Sequence, residues 1–294
     1  MRGRWIAGAL AISIASPVMA ADTGTAIPDL SGFWGRSTFD FEPLPSAPPP
    51  IANLYRLPSG SSDPTRPVGD YNNPILKPEA AIIVRERAER ALQGKTFPDP
   101  STRCAPYNPP FVAAMQLGLQ MLQKKNAITI LYNQDDQVRH VRLNGKHPDH
   151  VTPSWKGDSV AHYEGDTLVI DTVGIKSDAL AVVDRYGTPL GEGAHIVERY
   201  RLVDAADAKR AQDSHEKEAG RLGGAMPPDE KYPKGLELQL TIENPAYFTK
   251  PLPVRVTYRR TTLEWQEQVC AENPDNGYAV AESPPIPKAG KPDF

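Results

Sequence analysis

Residues Trp155–Ile175 read WKGDSVAHYEGDTLVIDTVGI, a stretch typical of two β-strands joined by a tight turn. Gly165-Asp166 lies between two runs of alternating residues, and glycine tolerates the positive φ that a two-residue turn requires. If these two residues form the turn, Glu164 pairs with Thr167, and every further pair follows in register. The sequence therefore predicts an antiparallel hairpin at the centre of the chain.

The same register divides the side chains of the hairpin between two faces. The residues of the face expected to pack in a core are Ala161, Tyr163, Leu168 and Ile170. The other face carries His162 and Asp171 as diagonal neighbours, with backbones roughly 7–8 Å apart. Because a carboxylate fixes the tautomer of a histidine and raises its basicity, this pair is predicted to serve general acid–base catalysis. The alternative is an outward-facing polar pair beside a barrel without a ligand.

Further short strands flank the hairpin. They are predicted at Ala127–Tyr132, Gln137–Leu143, Ala194–Val203, Leu236–Asn244, Val254–Arg260 and Leu263–Cys270. Helices are predicted at Lys77–Gly94 and Ala205–Ala219, and Phe111–Leu122 favours a helix covering the barrel, with a strand as the alternative. Many short strands with polar turns indicate a mainly β fold, an antiparallel barrel with a few peripheral helices, or alternatively a β-sandwich. A barrel of about eight strands leaves room for one small ligand.

The motif Gly32-Phe33-Trp34 resembles the start of the first strand in lipocalins and the wider calycin barrels. In those proteins the tryptophan closes the floor of the barrel beneath an arginine from a late strand. The resemblance implies a calycin- or lipocalin-like barrel in which Arg259 or Arg260 covers Trp34 through a cation–π contact. An ordinary buried tryptophan is the alternative.

Other polar residues extend the candidate site. Glu198 shares a strand face with apolar residues. Burying its carboxylate costs several kcal/mol unless the carboxylate is paired or hydrogen-bonded. An arginine of a neighbouring strand is the candidate partner. The candidate general acid is Glu198 or Glu267. The candidate hydrogen-bond donor to an oxyanion is Tyr200, or Tyr163 if the register of the hairpin differs. The residues assigned to catalysis are His162, Asp171, Glu198 and Tyr163. The residues assigned to substrate binding are Trp155, His195, Tyr200 and Glu267.

The start of the chain is typical of a signal peptide, because Arg2 and Arg4 precede an apolar run that ends in small residues. This run is too short for a permanent membrane span, so a periplasmic or secreted protein is predicted. The expected organisation is a signal peptide at 1–21, a proline-rich arm with the first strand at 22–76, a barrel domain with peripheral helices at 77–273, and a proline-rich tail at 274–294.

The chain contains 2 cysteines, Cys104 and Cys270. In an oxidising compartment such a pair most often forms a disulfide, and two buried free thiols are the alternative. Closing a loop of about 165 residues would stabilise the fold by up to ~5 kcal/mol. The net charge of −3 gives no electrostatic basis for binding nucleic acid or acidic membranes.

Several cofactor chemistries have no support in the sequence. It contains no P-loop, no Rossmann glycine pattern and no G-x-S-x-G elbow. His147, Asp149 and His150 are close in sequence, but Pro148 and the loop context give a poor spacing for metal ligands. No metal or other cofactor is therefore predicted. The expected partner is a small-molecule ligand or substrate, and the sequence leaves the oligomeric state open.

Five segments together resemble a group of exported bacterial proteins of mostly unassigned function. These segments are PDLSGFW (28–34), ITILY (128–132), SWKGDSVAHYEGDTLVIDTVG (154–174), AHIVERYR (194–201) and ENPAYFTKP (243–251). The resemblance covers Pro28–Asn273 and implies a secreted, mainly β domain, without implying an activity. Proteins of this group often have His in place of Asp158 and Gly-Arg-Trp in place of Ala161-His162-Tyr163, so His162 is peculiar to this chain.

Three functional hypotheses follow from these residues. The first is a cofactor-independent lyase, isomerase or hydrolase that acts on a small apolar or aromatic molecule inside the barrel. In it, His162 is the general base and Asp171 orients it. The second is a periplasmic binding or carrier protein without turnover. The third is a structural protein of the cell envelope.

Overall fold

A computed structural model describes residues 27–45, 47–95, 98–221, 226–268 and 270. The predicted signal peptide and the tail at 274–294 lie outside these residues. Within them, nine strands form a closed barrel with a few helices around it. The strands are β1 (Gly32–Gly35), β2 (Leu119–Lys124), β3 (Ala127–Tyr132), β4 (Gln137–Leu143), β5 (Asp158–Glu164), β6 (Thr167–Val173), β7 (His195–Asp204), β8 (Lys234–Glu243) and β9 (Leu252–Arg260). The helices are α1 (Pro78–Leu92), α2 (Phe111–Ala114) and α3 (Ala205–Ala219). The predicted mainly β barrel is confirmed, and closure excludes the sandwich.

The central hairpin has the predicted register. Strands β5 and β6 pair antiparallel around Gly165-Asp166, with Glu164 opposite Thr167 and Val160 opposite Asp171. Leu168 and Ile170 are fully buried, so the face expected to pack in the core does so. The alternation of side chains and the glycine turn were sufficient to define this hairpin.

One strand pair departs from the antiparallel pattern. Strands β4 and β5 pair in parallel, over a short contact in which Arg142 lies beside Val160 and Leu143 beside Ala161. A parallel pair needs a connection of about a dozen residues or more, and residues 144–157 supply it. This connection crosses the outer wall of the barrel and carries His147, which contacts Asp171 on β6.

The barrel closes where β1 pairs with β9. Trp34 lies beside Arg260 in the register of these strands, and the Arg260 guanidinium lies 5.3 Å from the centroid of the Trp34 ring. The Trp34 indole also donates a 2.9 Å hydrogen bond to the carbonyl oxygen of Leu30. The predicted contact between a late arginine and the buried tryptophan is confirmed.

Two predicted elements were wrong in part. The strand expected at Leu263–Cys270 does not form in the described residues, because β9 already pairs with β1 and leaves no free edge there. The segment Phe111–Leu122, favoured as one helix, splits into α2 and the start of β2. Gly118 enforces the split, because a Cβ there would lie 2.0 Å from the carbonyl oxygen of Trp34.

The proline-rich arm wraps around the barrel and is fixed to β9. The Glu42 carboxylate is buried and accepts hydrogen bonds from the Thr257 backbone N–H at 2.8 Å and the Arg255 Nε at 2.9 Å. Burial alone would raise the pKa of Glu42, but the charge of Arg36 and further neighbours hold it below its ordinary value. The arm is therefore an ordered part of the fold.

A buried ion pair spans the interior of the barrel. The guanidinium of Arg139 on β4 meets the carboxylate of Glu198 on β7 through two hydrogen bonds of 3.0 and 2.5 Å. Its remaining donors reach Ser159, Thr172 and Tyr132 at 2.6 to 3.3 Å. Burial acts to lower the pKa of Arg139, but the facing carboxylate raises it above its ordinary value. The partner predicted for Glu198 exists, although it comes from across the barrel and not from a neighbouring strand.

Large side chains fill the rest of the lumen. The aromatic residues that line it with at most 1% exposure are Trp34, Tyr132, Tyr200 and Tyr258. Such low exposure means that no water-sized void lies beside them, so the lumen is a packed core. These side chains occupy the space in which the barrel pattern predicted a ligand.

Removing one member of the buried pair should strongly destabilise the protein. Glu198→Gln leaves the Arg139 charge in the core without its counter-charge, and we expect a loss of about 3–5 kcal/mol in the free energy of unfolding. Urea unfolding followed by circular dichroism measures this loss. The control is Arg199→Gln, which removes a half-exposed arginine next to Glu198, and it should have a much smaller effect. Equal effects of the two variants would contradict the assigned role of the pair.

Candidate functional site

The predicted pair of His162 and Asp171 does not form. His162 lies exposed on the outer wall, and its Nε2 contacts the Glu164 carboxylate at 3.0 Å, two residues further along the same strand. Asp171 lies on the same face but contacts two other histidines, His147 at 3.0 Å and His195 at 3.1 Å. The diagonal spacing was correct, but the connection between β4 and β5 brings His147 over Asp171.

These contacts form a chain in which basic and acidic side chains alternate, here called the outer-wall network. Its members in order of contact are Arg142, Asp158, His147, Asp171, His195 and Glu243. His147 Nδ1 lies 2.6 Å from Asp158, and His195 Nδ1 lies 3.1 Å from Glu243. Each histidine thus lies between two carboxylates.

The network favours the charged forms of His195 and Asp171. Burial acts to lower the pKa of His195, but its hydrogen bonds to Asp171 and Glu243 raise it above the ordinary histidine value. Burial likewise acts to raise the pKa of Asp171, and the two histidines hold it below its usual value. Because both ring nitrogens of each histidine are engaged, neither is open to a substrate. The network fastens the connection between β4 and β5 to the barrel wall.

The other predicted site residues lie in separate places. Glu198 and Tyr200 are fully buried in the lumen, where the Tyr200 hydroxyl donates to Glu198 at 2.9 Å. The Tyr163 hydroxyl accepts a 2.7 Å hydrogen bond from Gln123. Trp155 lies beneath the Lys176 ammonium at 4.9 Å, and Glu267 is exposed on the irregular segment after β9. The structure therefore does not bring the eight predicted residues into one site.

A cavity of about 810 Å³ lies at one end of the barrel, outside the lumen. Its walls are α1 and the residues after it, loops 64–67 and 182–187, the segment 107–115, and the turn between β3 and β4. Tyr107 anchors it to the barrel, because its backbone N–H donates to the Gln137 side chain at the start of β4 at 2.9 Å. None of the eight residues predicted for catalysis or substrate binding lines this cavity.

The loop that contains Asp184 forms one wall of the cavity. Asp184 accepts hydrogen bonds from the backbone N–H groups of Tyr186 at 2.9 Å and Thr188 at 3.2 Å, which is the Asx turn typical of an Asp-x-x-Gly segment. Burial raises the pKa of Asp184 to about 6, although these hydrogen bonds act to lower it. Gly187 allows Arg87 to approach, because a Cβ there would lie 1.9 Å from the Arg87 guanidinium.

The predicted disulfide closes the cavity on another side. Cys104 and Cys270 are bonded, with Cα atoms 5.4 Å apart, and Cys270 lines the cavity. The bond holds the segment that follows β9 against the turn at 101–104. The cysteines were correctly paired from their number and from the predicted compartment.

Lys156 connects the cavity wall to the lumen. Its ammonium donates to the carbonyl oxygen of Tyr107 and to the Gln137 side chain, and it lies 5.3 Å from the centroid of the Tyr132 ring. Burial, followed by repulsion from Arg139, lowers the pKa of Lys156 to about 7. Sequence reasoning missed this residue, because a lysine in a loop carries no periodic signal.

Comparison with known proteins finds no matching family, no similar curated protein and no similar solved structure. Among the described residues, no group of three or more His, Cys, Asp or Glu side chains is placed to hold a metal ion. In the same part of the chain, no helix is long and apolar enough to cross a membrane.

The contribution of the outer-wall network to stability should depend on pH. Because the pKa of His195 is raised in the folded state, its contribution is complete below the unfolded pKa and is lost as pH rises through the folded one. His195→Gln should therefore lower the melting temperature more at about pH 5.5 than at about pH 9. The effect is small, since exposed pairs contribute below about 1 kcal/mol.

The matched control repeats this substitution in an Asp171→Asn, Glu243→Gln background. Both carboxylates that raise the histidine pKa are then absent, so the difference between the two pH values should largely disappear. A difference that persists in this background would contradict the assignment.

Proposed function

We propose that this protein binds a small molecule in the cavity beside the barrel end and acts as a periplasmic or secreted binding protein. The observation that carries the proposal is the cavity itself. Its volume of about 810 Å³ lies in the range of roughly 300–1,000 Å³ that is usual for ligand sites. The lumen, by contrast, is lined by aromatic side chains that are almost fully buried.

The composition of the cavity wall supports a binding role. The floor consists of apolar side chains that are at most 5% exposed, including Tyr107, Phe111 and Met115. Charged groups such as Arg66 and Arg185 lie on its walls. A mainly apolar floor with a few converging polar groups is the usual arrangement of a site for a small organic molecule.

The walls are also held in place before any ligand arrives. The disulfide fixes Cys270, the Asx turn fixes the loop at Asp184, and the burial of Ala91 fixes α1. A preformed site lowers the entropic cost of binding. The disulfide and the predicted signal peptide also support an oxidising compartment outside the cytoplasm.

The acid–base enzyme remains a second candidate, although without its predicted histidine. The specific observation in its favour is Asp184, which lines the cavity with a pKa raised to about 6. A carboxyl group with such a pKa is suited to proton transfer near neutral pH. Mass spectrometry of a ligand recovered after incubation distinguishes the two candidates, because a carrier returns it unchanged.

A neutral fluorescent dye tests the binding proposal. We expect N-phenyl-1-naphthylamine to bind the protein with one-site saturation and an increase in fluorescence. Ala91→Trp should fill the cavity and weaken binding by about tenfold or more, one 1.4 kcal/mol step. The control is Leu92→Trp, which places the same side chain at the neighbouring, exposed position of α1.

A second blocking variant provides the same test if Ala91→Trp does not fold. Thr65→Trp places the indole at an exposed position on the cavity rim, and it should weaken dye binding while the melting temperature stays unchanged. If the wild type does not bind the dye, or if all three variants bind it equally well, the proposed function is wrong.

A further inference from the structure

We infer that the ligand of this cavity is an amphipathic monoanion, whose negative group is held by Arg66, Lys95 and Arg185 and whose apolar body lies on the aromatic floor. The inference rests on the proposed function and adds the chemical class of the ligand. A carboxylate, a sulfonate and a phosphate diester share this chemistry.

The charges that line the cavity are unequal. The cationic residues are Arg66, Arg87, Lys95 and Arg185, and the anionic residues are Asp99, Asp135 and Asp184. The formal excess of one positive charge contrasts with the net charge of −3 for the chain. An excess of one charge matches a ligand with a single negative group better than a polyanion.

Three of these cations form no close ion pair, although the charges of Arg66 and Arg185 act on the Asp63 carboxylate. Among the described residues, Arg66, Lys95 and Arg185 form no ion pair within 4.0 Å. Arg185 donates to the carbonyl oxygen of Pro64 and lies 5.2 Å from the centroid of the Phe39 ring. This contact uses one of the five N–H donors of a guanidinium, so the others are available to an anion.

The carboxylates of the cavity are, by contrast, satisfied within the protein. Asp99 accepts hydrogen bonds from the Ser101 hydroxyl at 2.7 Å and the Thr102 backbone N–H at 2.9 Å. Asp184 is held by its Asx turn. Since these acids already have donors, they compete weakly for the arginine and lysine groups on the walls.

Arg87, in the same wall, is half-buried and lies in the field of two carboxylates. Burial lowers the pKa of Arg87, even though the charges of Asp99 and Asp184 act to raise it. The charge of an anion bound nearby would act in the same direction as these two carboxylates. The apolar floor strengthens the attraction between these cations and a bound anion, because it lowers the local dielectric and excludes water.

A pair of dyes with the same aromatic body tests the inference. 1-Anilinonaphthalene-8-sulfonate is N-phenyl-1-naphthylamine with one added sulfonate, so the ratio of their affinities isolates the charge. We expect the sulfonated dye to bind the wild type about fivefold more tightly or better, the size of one favourable ion pair. The ratio should fall as salt is added.

Variants of Arg185 test whether this residue binds the negative group of the ligand. Arg185→Gln should bring the ratio close to one, whereas Arg185→Lys should retain a preference for the anion. Unchanged affinity for the neutral dye shows that each variant keeps its fold and its cavity. Arg199→Gln, which removes a cation from the outer wall, is the matched control and should leave the ratio unchanged.

Competition against the sulfonated dye then distinguishes the natural anionic groups. Decanoate and the phosphate diester decyl methyl phosphate, both monoanions, are the charged competitors, and decanol is the neutral control; either anion outcompeting decanol supports the inference. If both dyes bind the wild type equally, or if Arg185→Gln and the double variant Arg66→Gln, Arg185→Gln keep the full ratio, the inference is wrong. In those cases, binding of the neutral dye still supports the proposed function. If neither dye binds, both the inference and the proposed function are wrong.

Discussion

The ion pair between Arg139 and Glu198 determines how the interior of this barrel is used. It joins β4 to β7 across the lumen, and its remaining hydrogen-bonding groups are satisfied by polar side chains of the strands between them and by tyrosines. A buried pair is stable only when its geometry and its hydrogen bonds are this complete. The space that other barrels reserve for a ligand is therefore occupied by protein. The cavity proposed as the binding site lies outside this space.

The irregular parts of the chain enclose the cavity that is proposed as the binding site. The proline-rich arm, α1, the Asx turn at Asp184 and the disulfide meet at one end of the barrel and enclose the cavity. Each is held by its own local interaction, such as the contact of Glu42 with β9. The outer-wall network acts similarly on the wall of the barrel, where it fastens the connection that carries Lys156. The barrel is thus a scaffold, and the segments around it form the candidate site.

Much of the fold was predictable because it depends on local patterns. The hairpin followed from alternation around Gly165-Asp166, and Glu198 demanded a partner because it interrupts an apolar row. Arg139 was detectable in the same way, since it shares its strand face with Val141 and Leu143. His162 was misassigned because the sequence does not show that a crossing connection delivers another histidine to Asp171. The cavity escaped prediction because segments without periodicity enclose it.

The central claim is that ligands bind beside the barrel end and not in its lumen. A crystal structure of the protein with bound N-phenyl-1-naphthylamine tests this claim most directly. We predict density for the dye between α1 and the segment 107–115, with the side chains of Arg139 and Glu198 still in contact. Density for the dye inside the lumen, with this ion pair separated, would contradict the claim.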